Sequence, residues 1–419
     1  MLTLCVSVSV SSLAALLAGT QDLQARASAP STQAVSATQE SRGRRILQRV
    51  RRQAPAKSPA WVNAIPDRIA DVLIEKHLYK KSEYWGSAKA MPQQDSPFDE
   101  VGTARFIGLV NQYNLHDRVG KLEEADRAKA LRYWQSWQDS RTGRFRDPRD
   151  PARVVNEKYV VGIIKGFGGE PLYPWTTTGD SGKVETQIFL KRTLDDPDWE
   201  QGGWGVGSHT GLQALQILDA INAGQTELIS DLERGIAQIL SHQDAADGLW
   251  GPPSAGPATR IGGTLKVVGR LYFAMGMHVP HTRELADTLI TYSRDGTWYK
   301  NGQSSCVPRN VAEVAAYCIE VSDYRREELL HVLDRLVEDY RSWVLPDGRT
   351  LMRRGDGESV GVEFVTIYAL GLIGDYLNWT DCRLPNPQAE ARRGEGCRYR
   401  PVLRADGTVK IIDSSSERP

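Results

Sequence analysis

LSHQDAADGLWG, Leu240 to Gly251, closes one helix-like stretch and leads into the next. It places Gln243, Asp244, Asp247, Gly248 and Trp250 at a point where a chain needs only to turn. Glycine takes the positive φ that a tight turn after a helix requires, and aspartate initiates such turns. An aromatic ring just after the glycine plugs the gap between neighbouring hairpins. Similar turns recur as YWG, WQDSRTGRF, WEQGGWG, SRDGTWY and LPDGRTL. Their glycines, Gly86, Gly143, Gly203, Gly248, Gly296 and Gly348, lie 57, 60, 45, 48 and 52 residues apart. Self-similarity at such a period predicts a repeat architecture.

Two kinds of helix alternate between the turns. TELISDLERGIAQILSHQD, HTRELADTLITYSRD and REELLHVLDRLVEDYRSWV carry apolar residues at helical spacing with a charged opposite face. GLQALQILDAINAG, TRIGGTLKVVGRLYFAMG, NVAEVAAYCIEVSD and GVEFVTIYALGLIGDYL are more apolar all round and contain glycine or alanine, as buried helices in close contact require. No strand series is visible. The pattern predicts an all-α fold of six helical hairpins over residues 60–380. Closed into an (α/α)6 toroid, it would hold the buried helices inside and the polar-faced ones outside; an open superhelix is the alternative.

LSHQDAADGLWG resembles the QW motif of the α/α-toroid terpenoid cyclases and protein prenyltransferases, in which Gln precedes Gly-x-Trp. WQDSRTGRF is a weaker copy with Phe145 in the Trp position. The resemblance covers residues 60–378 as an architecture and implies that Gln243, Gly248 and Trp250 brace the fold. It does not carry over the chemistry of those enzymes. The chain has no DxDD, and the carboxylates of TLDDPDW match neither that motif nor DDxxD. No His or Cys spacing suits zinc, and neither metal nor cofactor is expected. Secreted glycosidases and polysaccharide lyases share the toroid, so the resemblance extends to carbohydrate-active enzymes.

Composition sets further bounds. The formal net charge is zero but uneven: residues 40–57 hold six Arg and one Lys against one Glu, leaving the remainder acidic overall. That distribution argues against nucleic-acid binding. LTLCVSVSVSSLAALLAG followed by Ala25, Ala27 and Ala29 reads as a signal peptide over residues 1–29, predicting a secreted or periplasmic protein with no membrane span after cleavage. A basic, disordered linker is expected over 30–59 and an irregular tail over 381–419. In an exported chain Cys382 and Cys397, flanking a polar loop, are expected to pair; Cys306 and Cys318 either pair or stay as buried thiols.

In a closed ring the inner helices enter from one face, so their N-termini would make a mouth attractive to a uronate, sulfate or phosphate. The loops feeding that mouth supply Trp175, Trp204, Trp250, Trp298, Tyr299 and Asn310 as candidates for holding a glycan or other small ligand. The catalytic candidates are His209, Arg260, Arg309, Asp198 and Glu358. His209 is either a general base or a packing residue beside Ser208. Arg260 and Arg309 either grip a carboxylate or join hairpins by ion pairs. Asp198, Asp356 and Glu358 would serve hydrolysis, which needs two opposed carboxylates, whereas Asp247 serves the turn. Elimination would use His209 or Tyr299 as base. A terpenoid-cyclase-like apolar cavity and a non-catalytic binding module are the competing readings.

Overall fold

The computed structural model describes residues 42–72, 78–79, 86–87, 103–104, 107, 124–148, 150, 155, 157–173, 189–190, 193, 196–299, 306–342, 360–386 and 388–417, with 390 and 392 left out. They are mostly helical. The helices are α1 (Arg42–Val50), α2 (Ala60–Asn63), α3 (Ile65–Val72), α4 (Glu124–Gln135), α5 (Glu157–Gly166), α6 (Trp204–Asn222), α7 (Ile229–Ser241), α8 (Pro257–Val268), α9 (Thr282–Arg294), α10 (Cys306–Val321), α11 (Arg326–Arg341) and α12 (Val360–Tyr376). Two antiparallel pairs complete the list: β1 (Leu78–Tyr79) with β2 (Gly86–Ser87), and β3 (Tyr399–Leu403) with β4 (Val409–Asp413). The predicted signal peptide lies outside the described residues. None of the described helices is long and apolar enough to cross a membrane.

From α6 onward the helices form two rows. α6 packs on α8, α8 on α10 and α10 on α12. The second row lies against the first: α7 on α6, α9 on α10, and α11 on both α10 and α12. Sequence dictates this division. α7 buries Leu232, Gly235, Ile236, Ile239 and Leu240, one face of a helix. α10 is buried on every side from Val307 to Glu320. Glycines set the spacing within the buried row: a side chain at Gly211 of α6 would meet the Arg270 stem at 2.6 Å, and one at Gly207 would meet Lys266 Cβ at 3.2 Å.

The opening stretch forms a turn that occurs twice among the described residues. Gln243 Nε2 donates to the Gly248 carbonyl at 2.8 Å, Gly248 N to Asp244 O at 2.8 Å, and Asp244 N to Leu249 O at 2.9 Å. At the other copy Gln138 Nε2 donates to Gly143 O at 2.8 Å, Gly143 N to Asp139 O at 2.8 Å, and Asp139 N to Arg144 O at 2.8 Å. Both glutamines make an antiparallel bridge to the aromatic, Gln243 with Trp250 and Gln138 with Phe145. The glycines sit at φ of 71° and 68°. Gly248 is fixed twice over, because a Cβ there would also meet Leu285 N at 2.6 Å. WEQGGWG folds differently, as a short 3₁₀ turn over Pro197–Gln201 followed by two left-handed glycines.

Three expectations change at the ends of the chain. The basic segment is not wholly a solvated linker, because Arg42–Val50 is helical and buries Gly43, Leu47 and Val50 against α10 and α12. These three positions share one helical face, and the arginines occupy the other. The tail is not wholly irregular: β3 and β4 pair in register from Tyr399–Asp413 to Leu403–Val409 and lie against α6 and α7. Cys382 and Cys397 are not joined by a disulfide, and neither are Cys306 and Cys318. Cys382 packs beside Gly374 of α12 and points its thiol at the Leu384 carbonyl. The loop is fastened instead by Arg393, described below.

Candidate functional site

The buried row carries its charges on facing sides of α8 and α10. Arg260 opens α8 and is committed to the turn below it. Its Nη1 donates to Asp247 Oδ2 at 2.5 Å, and its Nη2 to Asp247 Oδ1 at 2.9 Å and Asp244 Oδ2 at 3.2 Å. Asp247 also accepts the Leu249 N–H. Arg260 therefore ties one hairpin's turn to the next hairpin's helix, the ion-pair alternative for this residue.

Deeper along α8 stand Lys266 and Arg270, and across from them on α10 stand Arg309, Asn310 and Glu313. The three cations are only 3%, 4% and 2% exposed, and Glu313 is the one carboxylate that faces them among the described residues. Arg309 Nε donates to Glu313 Oε1 at 2.6 Å, and its guanidinium lies 4.4 Å from the Tyr368 ring centroid. Gln388, from the tail, donates to Tyr368 at 2.6 Å and to Glu313 Oε2 at 3.3 Å. Lys266 Nζ sits 4.4 Å above the Trp204 ring. Arg270 Nε and Nη2 have no hydrogen-bond partner among the described residues, nor does Asn310 Oδ1. Arg270 lies within the π-helical segment Gly269–Ala274 that follows α8, a distortion often found at functional sites.

Burial, with Arg309 and Arg270 adding repulsion, holds the Lys266 amine well below its ordinary value of 10.5 despite Glu313. Burial also pushes Arg270 down to about 10, against the pull of Glu313, so it remains a cation at neutral pH. A lysine with a lower pKa in the folded state leaves the unfolded chain binding more protons. Its cost to stability is full below the folded pKa and fades as pH rises toward 10.5. Lys266→Met is therefore expected to raise stability by about 1 kcal/mol or more at neutral pH, because it removes a group whose charged form burial disfavours. Urea titrations of both proteins should show the gap shrinking as pH approaches 10.5. A constant gap would contradict this account.

A second buried network lies about two turns farther along α10. Glu320 receives Arg393 in a bidentate pair, Nε to Oε2 at 2.7 Å and Nη2 to Oε1 at 2.6 Å. Tyr272 donates to Oε2 at 2.8 Å, and Tyr376 donates to Oε1. Here one arginine faces one carboxylate, and both carboxylate oxygens are met.

The remaining candidates are scattered. Asp198 accepts the Val206 N–H at 2.6 Å and so caps the start of α6. His209 is exposed and lies two residues from both Gly207 and Gly211, roughly on the opposite side of α6 from Arg270. Trp250 is fully buried, with its indole N–H on Ile239 O at 2.8 Å and its backbone N–H on Thr264. Trp298 is buried too, donating to Ser293 Oγ at 3.0 Å. Neither indole lines an open mouth, because each is used up in packing between hairpins. Trp175, Glu358 and the side chain of Tyr299 lie outside the described residues. The structure thus brings together Arg309, Asn310 and Trp204 from the expected set.

Sequence reasoning missed Lys266, Arg270, Glu313, Glu320 and Arg393. A signal existed for the first two: cations in an apolar, glycine-bearing helix, with no carboxylate three or four residues away. Among the described residues no group of three or more His, Cys, Asp or Glu is placed to hold a metal ion. Comparison with protein-family models, with curated proteins and with solved structures returns no match, so the chemistry of this chain is read from its own residues.

Proposed function

We propose that the chain is an exported six-hairpin (α/α) toroid that acts on acidic carbohydrate, by elimination or hydrolysis. The observation that carries the reading is the buried guanidinium of Arg270, whose Nε and Nη2 have no hydrogen-bond partner among the described residues. Buried charge without a partner is expensive and is retained where a ligand supplies the missing counter-charge. The aromatic rings of Trp204 and Tyr368 border the same cluster, as sugar-binding sites require. Two parallel rows of helices, the buried one continuous from α6 to α12, favour the toroid over a bundle. The charges speak against the apolar cavity of a terpenoid-cyclase-like protein.

The described carboxylates favour elimination. Glu313, Asp244 and Asp247 are engaged with arginines and Asp198 with a helix start, which leaves no opposed pair among them for hydrolysis. The Lys266 amine, whose hold on its proton is weakened by burial and by Arg309 and Arg270, is the described candidate for a base. The test is a panel of acidic and neutral polysaccharides given to the protein from residue 42 onward. Elimination predicts the ultraviolet absorbance of an unsaturated uronate, lost in Lys266→Met while the fold is kept. New reducing ends without that absorbance would mean hydrolysis. No product from any acidic glycan, with binding absent as well, would remove the carbohydrate reading.

A further inference from the structure

We propose that a recess over Gly269 is a binding site for the oxyanion group of a ligand, received by the Nε–Nη2 edge of Arg270. The proposal rests on the acidic-carbohydrate reading above and gives it a place, since the acidic group of the substrate would enter at Gly269.

Gly269 is a glycine without a structural task. Its backbone is ordinary helix, at φ −56° and ψ −33°, so no left-handed turn asks for it. Nor does packing, because a Cβ there would meet no described atom within 4 Å. The other glycines of this helix differ. A Cβ at Gly262 would strike the Trp204 ring at 2.3 Å, and one at Gly263 the Gly202 carbonyl oxygen at 1.9 Å. Glycine inside a helix weakens it relative to alanine, so what Gly269 contributes is room.

Water reaches that room. From Arg260 to Phe273 every residue is buried except Gly269, which is half-buried. The opening therefore penetrates an otherwise closed helix down to its main chain. Its direction follows from helical spacing: Gly262 and Lys266 lie two turns and one turn earlier on the same face. Gly262 looks onto Trp204 and the Asn310 amide, and Lys266 Nζ lies over the Trp204 ring. The π-helical segment begins at Gly269 itself, so the widened turn and the opening coincide.

Arg270 supplies the chemistry. It starts at the rim of the recess, one residue on, and its stem passes Gly211 of α6. Its charge feels Glu313 of α10 and Tyr368 of α12, away from α6, so the guanidinium is turned toward the side on which Gly269 is clear. The residue is only 4% exposed, yet Nε and Nη2 have no partner among the described residues. These two donors share one edge of the guanidinium and run parallel, the fork that holds two oxygens of a carboxylate, sulfate or phosphate. Unfilled space, access for water and a buried pair of unmet donors thus meet at two consecutive residues.

The experiment is calorimetric titration of the full chain with galacturonate, a glucose sulfate and a glucose phosphate, each against its neutral parent sugar. At least one acid form should bind tenfold or more tightly than its parent, and the form that does so names the oxyanion. Arg270→Lys, which keeps the charge and loses the fork, should weaken that binding tenfold or more. Gly269→Leu, which fills the recess, should do the same. Gly269→Ala adds one methyl in clear space and should melt no lower than the unaltered protein. Parity between every acid and its neutral sugar overturns the proposal without any variant. So does Arg270→Lys or Gly269→Leu that melts and binds like the parent. A Gly269→Ala protein that melts several degrees lower, or a Gly269→Leu chain that fails to fold, would show that the space is filled and overturns it too. Glycan conversion indifferent to both residues would sink the site and leave the enzymatic reading standing. Oxyanion binding that depends on both, with no glycan converted, would support the site and sink that reading.

Discussion

Arg393→Ala is expected to cost about 3–5 kcal/mol of stability, because it strands a buried carboxylate. The Arg393 and Glu320 side chains are both 0% exposed. Arg393 reaches this position from the tail with a left-handed backbone (φ 48°) and donates also to the Gln388 and Ala391 carbonyls. Its guanidinium lies 5.2 Å from the Phe273 ring. Removing it leaves Glu320 with two tyrosine donors and no cation, in a place where water cannot reach. Burial and that carboxylate together hold the Tyr272 hydroxyl far above its ordinary range, so it stays a neutral donor to Glu320. Urea denaturation should read the loss directly. A double variant, Arg393→Met with Glu320→Met, should recover most of it, since packed apolar groups replace buried pairs at little cost. Recovery that fails, or a single-variant loss under about 1 kcal/mol, would show that Arg393 does not fasten the tail.

Trp250→Ala should be comparably damaging, at about 3–5 kcal/mol, the range for emptying an aromatic site in a core. The ring is wholly buried between α7 and the start of α8, and the variant would also free the Ile239 carbonyl from its donor. Trp250→Phe makes a sharper test. The sister turn already uses Phe145 after an equivalent Gln–Gly hydrogen bond, so a phenyl ring is compatible with the geometry. That variant should lose only the indole hydrogen bond and some volume, roughly 1–2 kcal/mol. Chemical denaturation of the three proteins orders them, and Phe as harmful as Ala would mean the turn copies are not physically equivalent.

Much of the fold was legible because its rules are local. A glycine that must take positive φ, a glutamine five residues before it and an aromatic two after it leave a mark that spacing alone reveals, and α7, α9 and α11 announce their apolar faces by period. The cluster was less legible. Periodicity distinguishes a buried face from a wet one, but in α8 and α10 every face is buried, so periodicity alone does not tell which neighbours Lys266, Arg270 and Glu313 meet. Arg260 and Arg309 stood out by their places at helix starts, yet nothing in the sequence tells that Asp247 claims the first and Glu313 the second. The hairpin of β3 and β4 was missed because YRPVL and VKIID are each five residues long and follow a loop rich in Arg and Gly. Segment α1 was missed because its arginines conceal a face built of only Gly43, Leu47 and Val50.

That short helix has a bearing on the order in which the molecule assembles. Arg42 N donates to Glu395 across 353 residues of sequence, and Arg42 Nη1 to the Arg393 carbonyl. Gly43 lies so close to Ala389 that no larger residue fits between them. The partners of α1 are thus made long after its own residues. It has nothing to dock on until α10, α12 and the segment from Gln388 to Glu395 exist, and a contact of such long sequence separation carries a large closure entropy. A chain released before Gln388 would hold this helix without its seat.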